Sequence, residues 1–421
     1  MSKWHWYLMQ FTRLLWVRAT LIGVLGVGAV GLAALIERLF AGGIGFEVSA
    51  DTIDSILTIL ASSMLTVTTF SLSVMTSAFG LATSNVTPRA TRLLAEDRVT
   101  QNVLSTFIGS FLFSIVGIVA LKAGAYSSQG RVVLFAVTVF VLILIVISLI
   151  RWIDQLTRLG RVNETTDRVE ETALSSIKQR LKEPFLGGCA RTEDANVPDD
   201  SCEVFAERTG YVQHIDMKQL SEAAKTLNAD ILLDVVPGSF IYQNARLAAV
   251  VPDSGNLPEE TRQDVAVDVR RAITIGEERS FDQDPRFGLV VLSEIACRAL
   301  SPGVNDSGTA IDVIGRIARL LILWGNGSEK FAQETRFPRI FVPPINASDI
   351  FEDGFQLIAR DAAAVVEVQV RLRKALQALS RLGNSEFREA ARKQAAIAAE
   401  RAEIALNLEY DKQQLRNIEI N

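Results

Sequence analysis

The chain has 421 residues, with 43 Lys and Arg against 48 Asp and Glu, a net charge of −5 and only two histidines. An acidic balance without any Lys/Arg run excludes nucleic acid as an expected partner, and His5 and His214 alone leave little room for zinc sites or histidine-based triads. The mean hydropathy of +0.24 is concentrated before Arg151, which predicts a membrane-embedded half followed by a soluble one.

In chain order, four charge-poor stretches are long enough to cross a hydrocarbon core of ~30 Å. They lie at about 15–38, 55–84, 103–121 and 132–151, and define a four-helix transmembrane domain over 1–153. Lys3, Arg13, Arg18, Arg89, Arg92, Arg98, Arg151, Arg158 and Arg161 fall on one side, against Arg38, Lys122 and Arg131 on the other. The excess of basic residues predicts cytoplasmic N- and C-termini and a multi-pass protein of the bacterial inner membrane. Trp4, Trp6, Trp16 and Trp152 sit where interfacial aromatics are expected. Gly23, Gly26, Gly28 and Gly31 in the first span, and Ser110, Ser114 and Gly117 in the third, predict close helix packing. The bulky fourth span, free of Gly after Gly130, predicts a lipid-facing helix.

The second span is unlike the others. From Ser55 to Pro88 it carries no charge, and at about 1.5 Å per residue it would extend ~50 Å. Ser62, Thr66, Thr69, Ser73, Thr76, Gly80 and Thr83 recur at alternating spacings of four and three, which keeps them on one helical stripe. Asp51 and Asp54 mark its outer end and Asn85 and Arg89 its inner end, where Pro88 interrupts the helix; these four would be the mouths of any path along it. Tight packing with each hydroxyl bonded to its own backbone explains such a stripe in a closed bundle. Copies of the chain around an axis would instead let the stripe line a hydrated path that is polar but free of deep charge traps. No span holds an Asp, Glu, Lys or Arg at depth, which disfavours an intramembrane proton relay.

Behind the spans, 154–200 is expected to hold a membrane-exit helix and a polar linker. A small β barrel-sandwich-like unit is predicted over 201–253, with strands at Glu203–Ala206, Tyr211–Ile215, Ile231–Val236 and Leu247–Val251 and a helix at Met217–Leu227. An α-helical unit covers 254–345, with helices at Glu259–Ile275, Phe287–Leu300 and Gly308–Trp324. A C-terminal helical hairpin covers 346–421. The fold class is thus a four-helix transmembrane domain plus a cytoplasmic α+β domain. Between two of the helices, Ser301, Gly303, Asn305 and Asp306 form a turn whose following helix N-terminus, with Arg298 nearby, would suit a carboxylate or phosphate. A capped turn held by local bonds is the plainer explanation. Arg279, Asp282 and Asp284 look like ion-pair glue, and Cys189, Cys202 and Cys297 like reduced, isolated thiols.

The order of motifs resembles a bacterial family of predicted membrane proteins that carry a domain of unknown function. The matching segments are SLSVM at 71–75, LATSNVTPR at 81–89, TGYVQ followed by Ile215-Asp216, PGSF at 237–240, and RFGL leading to RALSPGVND at 298–306. Ser307 and Ser280 stand where the family pattern would have Pro and Thr. The resemblance implies the architecture and the inner-membrane location, and no activity.

These readings converge on a homo-oligomeric inner-membrane ion channel or pore-like conductor, not an enzyme, and without metal or cofactor. The second-span stripe would line its path, and the cytoplasmic domain would be vestibule or regulator. The partners expected are the lipid bilayer, further copies of the chain and inorganic ions. The alternative is a membrane-anchored sensor or scaffold whose cytoplasmic domain binds a ligand or partner protein.

Overall fold

The structure, a computed structural model, describes residues 48–419 with breaks at 86, 96, 125, 127, 159–160, 193–196, 199–200, 254, 256–257 and 328–334, besides isolated positions 17, 20, 24 and 28. Apart from those isolated positions, the predicted first span lies outside the described residues, as do Trp4, Trp6 and Trp16. Two compact units emerge: one takes the described residues up to 84 together with 91–164, the other takes 85–90 and 165 onward.

The first unit is helical: α1 (Ala50–Asn85), most of α2 (Pro88–Ala95), α3 (Arg98–Lys122) and α4 (Ser128–Arg158). Among the described residues, three helices are long and apolar enough to cross a membrane, at Ala50–Gly80, Val99–Lys122 and Gly130–Leu156. Burial of apolar side chains between them sets their packing. Ile53 and Leu57 of α1 meet Phe113 of α3 and Leu134 of α4. One stage further along, Leu60 and Met64 meet Val103, Phe107, Ile145 and Trp152. Gly117 permits the close approach of α3 to α1: a Cβ there would stand 3.0 Å from Leu57 Cδ1. Helix α4 hides only a narrow face, Leu134, Thr138, Ile145, Trp152 and Gln155, while Phe140, Ile143, Val146, Ile147 and Ile150 are exposed. Trp152, expected at the membrane interface, is 2 % exposed. Its position on the buried register of α4, one helical turn before Gln155, puts the ring inside the bundle.

Beside Trp152 in sequence, a polar contact pins two of these helices. Asp97 is buried and caps α3, accepting from Thr100 N at 2.9 Å and Thr100 Oγ1 at 2.6 Å. It also accepts from Gln155 Nε2 of α4 at 2.9 Å.

The second unit opens with α5 (Val162–Lys182) and contains two sheets. The larger has the order β1-β8-β4-β6-β2, from Cys189–Ala190, Ile340–Val342, Ala229–Leu233, Arg246–Pro252 and Cys202–Phe205. It is parallel across β1, β8 and β4 and antiparallel from there to β2. The smaller, antiparallel sheet has the order β5-β3-β7, from Phe240–Ile241, Gly210–Ile215 and Ile273–Gly276. Strands β1, β7 and β8 therefore come from outside the 201–253 stretch. Helix α6 (Met217–Leu227), capped by Asp216, and α7 (Glu259–Ala272) cover a core of Val204, Val212, Leu220, Ile231, Leu247, Val250 and Val269. The helix expected to run to Ile275 stops at Ala272. The β-branched Ile273-Thr274-Ile275 run pairs with β3 instead, Ile215 opposite Ile273.

The remainder is helical: α8 (Phe287–Leu300), α9 (Ser307–Gly327), α10 (Ala347–Phe351), α11 (Leu357–Asp361), α12 (Val366–Leu379), α13 (Ser385–Ala405) and α14 (Glu409–Arg416). A π-helical turn, Glu352–Gln356, joins α10 to α11. Gly288 of α8 lies so close to Ala173 of α5 that no side chain fits between them.

Replacing Asp97 with Ala removes a helix cap and leaves Gln155 without this carboxylate. The expected loss is about 2 kcal/mol, seen as a lower midpoint of thermal unfolding of the full chain in detergent.

Candidate functional site

The division of α1 into two faces is the most informative feature. Its apolar face, with Ile53, Leu57, Leu60, Ala61 and Met64, is buried against α3 and α4. The predicted stripe lies on the surface of the chain: Ser62, Thr66, Thr69, Ser73, Thr76 and Gly80 are all exposed, and no atom lies within 4 Å of where a Cβ on Gly80 would be. Thr83 and Asn85 belong to the final turns of the same helix. Each hydroxyl donates back along the helix. Ser62 reaches Thr58 O at 3.0 Å, Thr66 reaches Ser62 O at 2.9 Å, and Thr69 reaches Leu65 O at 3.1 Å. Ser73 reaches Thr69 O at 3.0 Å and Thr76 reaches Leu72 O at 2.8 Å. With the protons committed inward, acceptor oxygens remain on the outer surface. Ile59, Leu65, Phe70 and Leu72 are exposed beside them.

At the N-terminal end of α1, Asp51 is exposed, and Asp54 pairs with Lys122 of α3 at 3.7 Å. At its C-terminal end, α1 finishes at Asn85 and Pro88 opens α2, where its missing N–H costs nothing. Thr87 Oγ1 accepts from Ala90 N at 3.3 Å. Arg89, predicted as a mouth residue, forms an ion pair with Glu294 of α8. Burial raises the Glu294 carboxyl above its ordinary range, and the Arg89 charge and a bond from Thr87 offset part of that rise. Arg89 of the LATSNVTPR motif is thus paired with the helix that carries the RFGL and RAL segments. Glu294 itself lay outside the candidate residues; its signal was a lone acid inside the apolar run FGLVVLSEIACRAL.

The Ser301–Asp306 turn is an exposed, locally bonded connection. Ser301 Oγ donates to Arg298 O at 2.7 Å, and Ser301 O accepts from Val304 N and Asn305 N. Asn305 takes the left-handed conformation with φ 51°. Asp306 accepts from Thr309 N at 3.0 Å and Thr309 Oγ1 at 2.6 Å. Its own carboxylate occupies the start of α9, and these bonds hold its acid below the usual carboxylate range. Gly303 stands open, with nothing within 4 Å of a would-be Cβ.

Three other motifs meet in one region, around a buried carboxylate. Asp284 is buried and accepts from Arg279 Nε at 2.8 Å, Arg286 N at 3.0 Å and Phe287 N at 3.2 Å. Burial pushes its acid upward in spite of Arg279. It rests against Gly238 of the PGSF turn, whose φ of 94° and lack of Cβ make room for it. Next to it, Gln283 meets the main chain of Ile215, donating to its O at 3.3 Å and accepting from its N at 2.9 Å. Gln213 donates to Glu278 O at 2.7 Å. The TGYVQ, PGSF and RSFDQD segments are therefore one polar joint. Ser176 and Arg180 border this joint from α5 and were not singled out in the sequence. Their signal was position: with Val169 and Ala173 they occupy the buried register of that helix.

The sequence matches the family described as "Predicted membrane protein (DUF2254)" over residues 12–378. The chain belongs to this family. It is also 25% identical over 315 residues to the uncharacterized protein Rv1290c of Mycobacterium tuberculosis, an alignment that covers 72% of this chain and 59% of that one. The uncharacterized protein Mb1321c of Mycobacterium bovis is similar to the same extent. This DUF2254 chain thus spans less than two thirds of the length of those relatives. No solved structure matches it.

For this DUF2254 protein, Arg89→Ala is expected to destabilise the fold by about 1 kcal/mol at neutral pH, the ion pair being largely solvent-exposed on the arginine side. Glu294 already has a raised folded pKa, so its ionisation opposes folding, and stability falls as pH rises through that value. Loss of Arg89 raises it further. The deficit of the variant should therefore widen from acid to neutral pH in thermal melts, and a constant deficit would show that Glu294 does not sense Arg89.

Proposed function

We propose that the protein is a homo-oligomeric, pore-like ion conductor of the bacterial inner membrane, with α1 of each copy facing a shared axis. One observation carries this reading: the stripe from Ser62 to Gly80 is exposed on the chain while the opposite face of α1 is buried on α3 and α4. A polar stripe gains nothing from lipid, and neighbouring copies or water would receive it better. Hydroxyl oxygens and one glycine line a path without a deep charge trap. In this reading Thr66, Thr69, Ser73 and Thr76 form the narrow part. Ile59, Leu65 and Leu72 stand close enough to dewet the path after a small rotation of α1. Both termini face the cytoplasm, from the excess of basic residues beside the inner ends, and the C-terminal unit acts as vestibule or regulator.

A second reading draws on the back-bonded hydroxyls. Because each is satisfied within its own helix, the stripes can pack copies together without a path, and the protein is then a sensor or scaffold anchored by its helices.

Currents across a planar bilayer, recorded with purified full-length protein and asymmetric KCl, separate the two. Discrete wild-type currents that vanish in Ser73→Leu are the expected result. Wild-type silence under voltage, tension and pH changes would leave the scaffold reading. Currents unchanged in Ser73→Leu would remove the stripe from the path.

A further inference from the structure

Helix α5 carries two residues that burial alone does not explain. Ser176 is 6 % exposed, and its hydroxyl has no hydrogen-bond partner. Arg180, one turn on, is 4 % exposed. Its guanidinium donates to two main-chain carbonyls, Gln283 O at 2.9 Å and Pro184 O at 3.4 Å. An arginine has five N–H donors in a planar fork, so much of this one's capacity is unspent. Burial draws its pKa down to about 10, and the nearby Asp284 charge only partly resists this.

Both residues line one small cleft, which also takes Glu183, Asp282, Gln283 and Arg336. The acids there are already engaged. Glu183 pairs with Arg336, and Asp282 accepts from Ser280 Oγ at 3.1 Å. Asp284, behind the cleft, is held by Arg279 at 2.7 Å. Arg180, in contrast, spends its bonds on main-chain carbonyls and contacts no acid among the described residues. A free buried hydroxyl and an under-used buried guanidinium one turn apart form a donor set with capacity to spare.

We propose that the cleft is a binding site for a compact oxyanion, either free phosphate or the carboxylate of a small organic acid. The Arg180 fork and the Ser176 hydroxyl donate to its oxygens, and Arg336 stands beside them in the cleft. The planar fork suits two oxygens of one oxyanion, and charge-assisted bonds of this kind are the strong ones. The occupant would tie together α5, the segment before α8 and the segment before β8, so its presence would register in the stability of this unit. The site is independent of whether α1 lines a path.

The test is titration of the detergent-purified full-length protein with inorganic phosphate and, separately, acetate, at constant ionic strength with chloride as the reference salt. Calorimetry reads binding, and thermal unfolding reads its effect on stability. Saturable binding and a raised melting temperature are expected for the wild type. Stronger saturation by phosphate than by acetate identifies a phosphate site, and the reverse a carboxylate site. Ser176→Ala should bind about tenfold more weakly, having lost one hydrogen bond to a charged group. Without anion it should melt at or above the wild-type temperature, because it no longer buries an unpaired hydroxyl. Arg180→Gln should abolish saturation, and if it does not fold, Arg336→Gln, expected to weaken binding, takes its place. No saturable response in the wild type, an equal response to chloride, or wild-type affinity in Ser176→Ala would each overturn the proposal.

Discussion

From Ser62 to Thr76, each hydroxyl on the outer stripe of α1 donates to a carbonyl one turn back. That bond is what allows a polar stripe to exist on a membrane helix at all. An unpaired donor in hydrocarbon costs several kcal/mol, and the backbone carbonyl removes that cost without a second helix. The opposite face is then free to specialise in packing. Leu57 against Gly117, and Leu60 and Met64 among Phe107, Ile145 and Trp152, hold α1 in one rotational setting. That setting is what turns the hydroxyls outward.

The second unit is organised around the opposite situation, a carboxylate removed from water. Asp284 is tolerated because Arg279 and two main-chain N–H groups meet its oxygens, and because Gly238 yields space beside it. A buried charge with its partners in place restricts the alternatives open to the chain around it. Here it ties Arg279 to the start of α8 with the PGSF turn packed against it, while Gln283 fastens the same segment to β3. Arg89 and Glu294 bring the segment that follows α1 onto α8. Short motifs scattered over two hundred residues are thus parts of two joints.

The unpaired hydroxyl of Ser176 is one of several in the unit, and it stands beside the sparsely bonded guanidinium of Arg180 in a single cleft. Departures of this kind from local satisfaction are where a binding site is reasonably sought. The exposed turn at Ser301–Asp306 shows the contrast, since its own Asp306 and Ser301 already use the groups that an incoming anion would need.

Local pattern was enough for much of the architecture. The charge-free lengths marked the spans at α1, α3 and α4, and the 3/4 rhythm of Ser62 to Thr83 placed the hydroxyls on one line. Met217–Leu227 and Phe287–Leu300 were legible to the residue, because caps, breakers and periodicity act within a few residues of each other. Trp152 and the Ile273–Gly276 strand were not, since the neighbour that buries one and the strand that pairs with the other lie far away in sequence. The same holds for the joints: Asp284 finds Arg279 within five residues, but nothing local to Glu294 or Arg180 says which distant group will meet them. Sequence alone determined that this protein has a membrane half with a one-sided hydroxyl helix and an α+β half behind it, because hydropathy and helical phase are properties of contiguous residues. Tertiary structure alone decided which way that stripe turns and which buried charges find partners, because burial and pairing are properties of residues brought together from far apart.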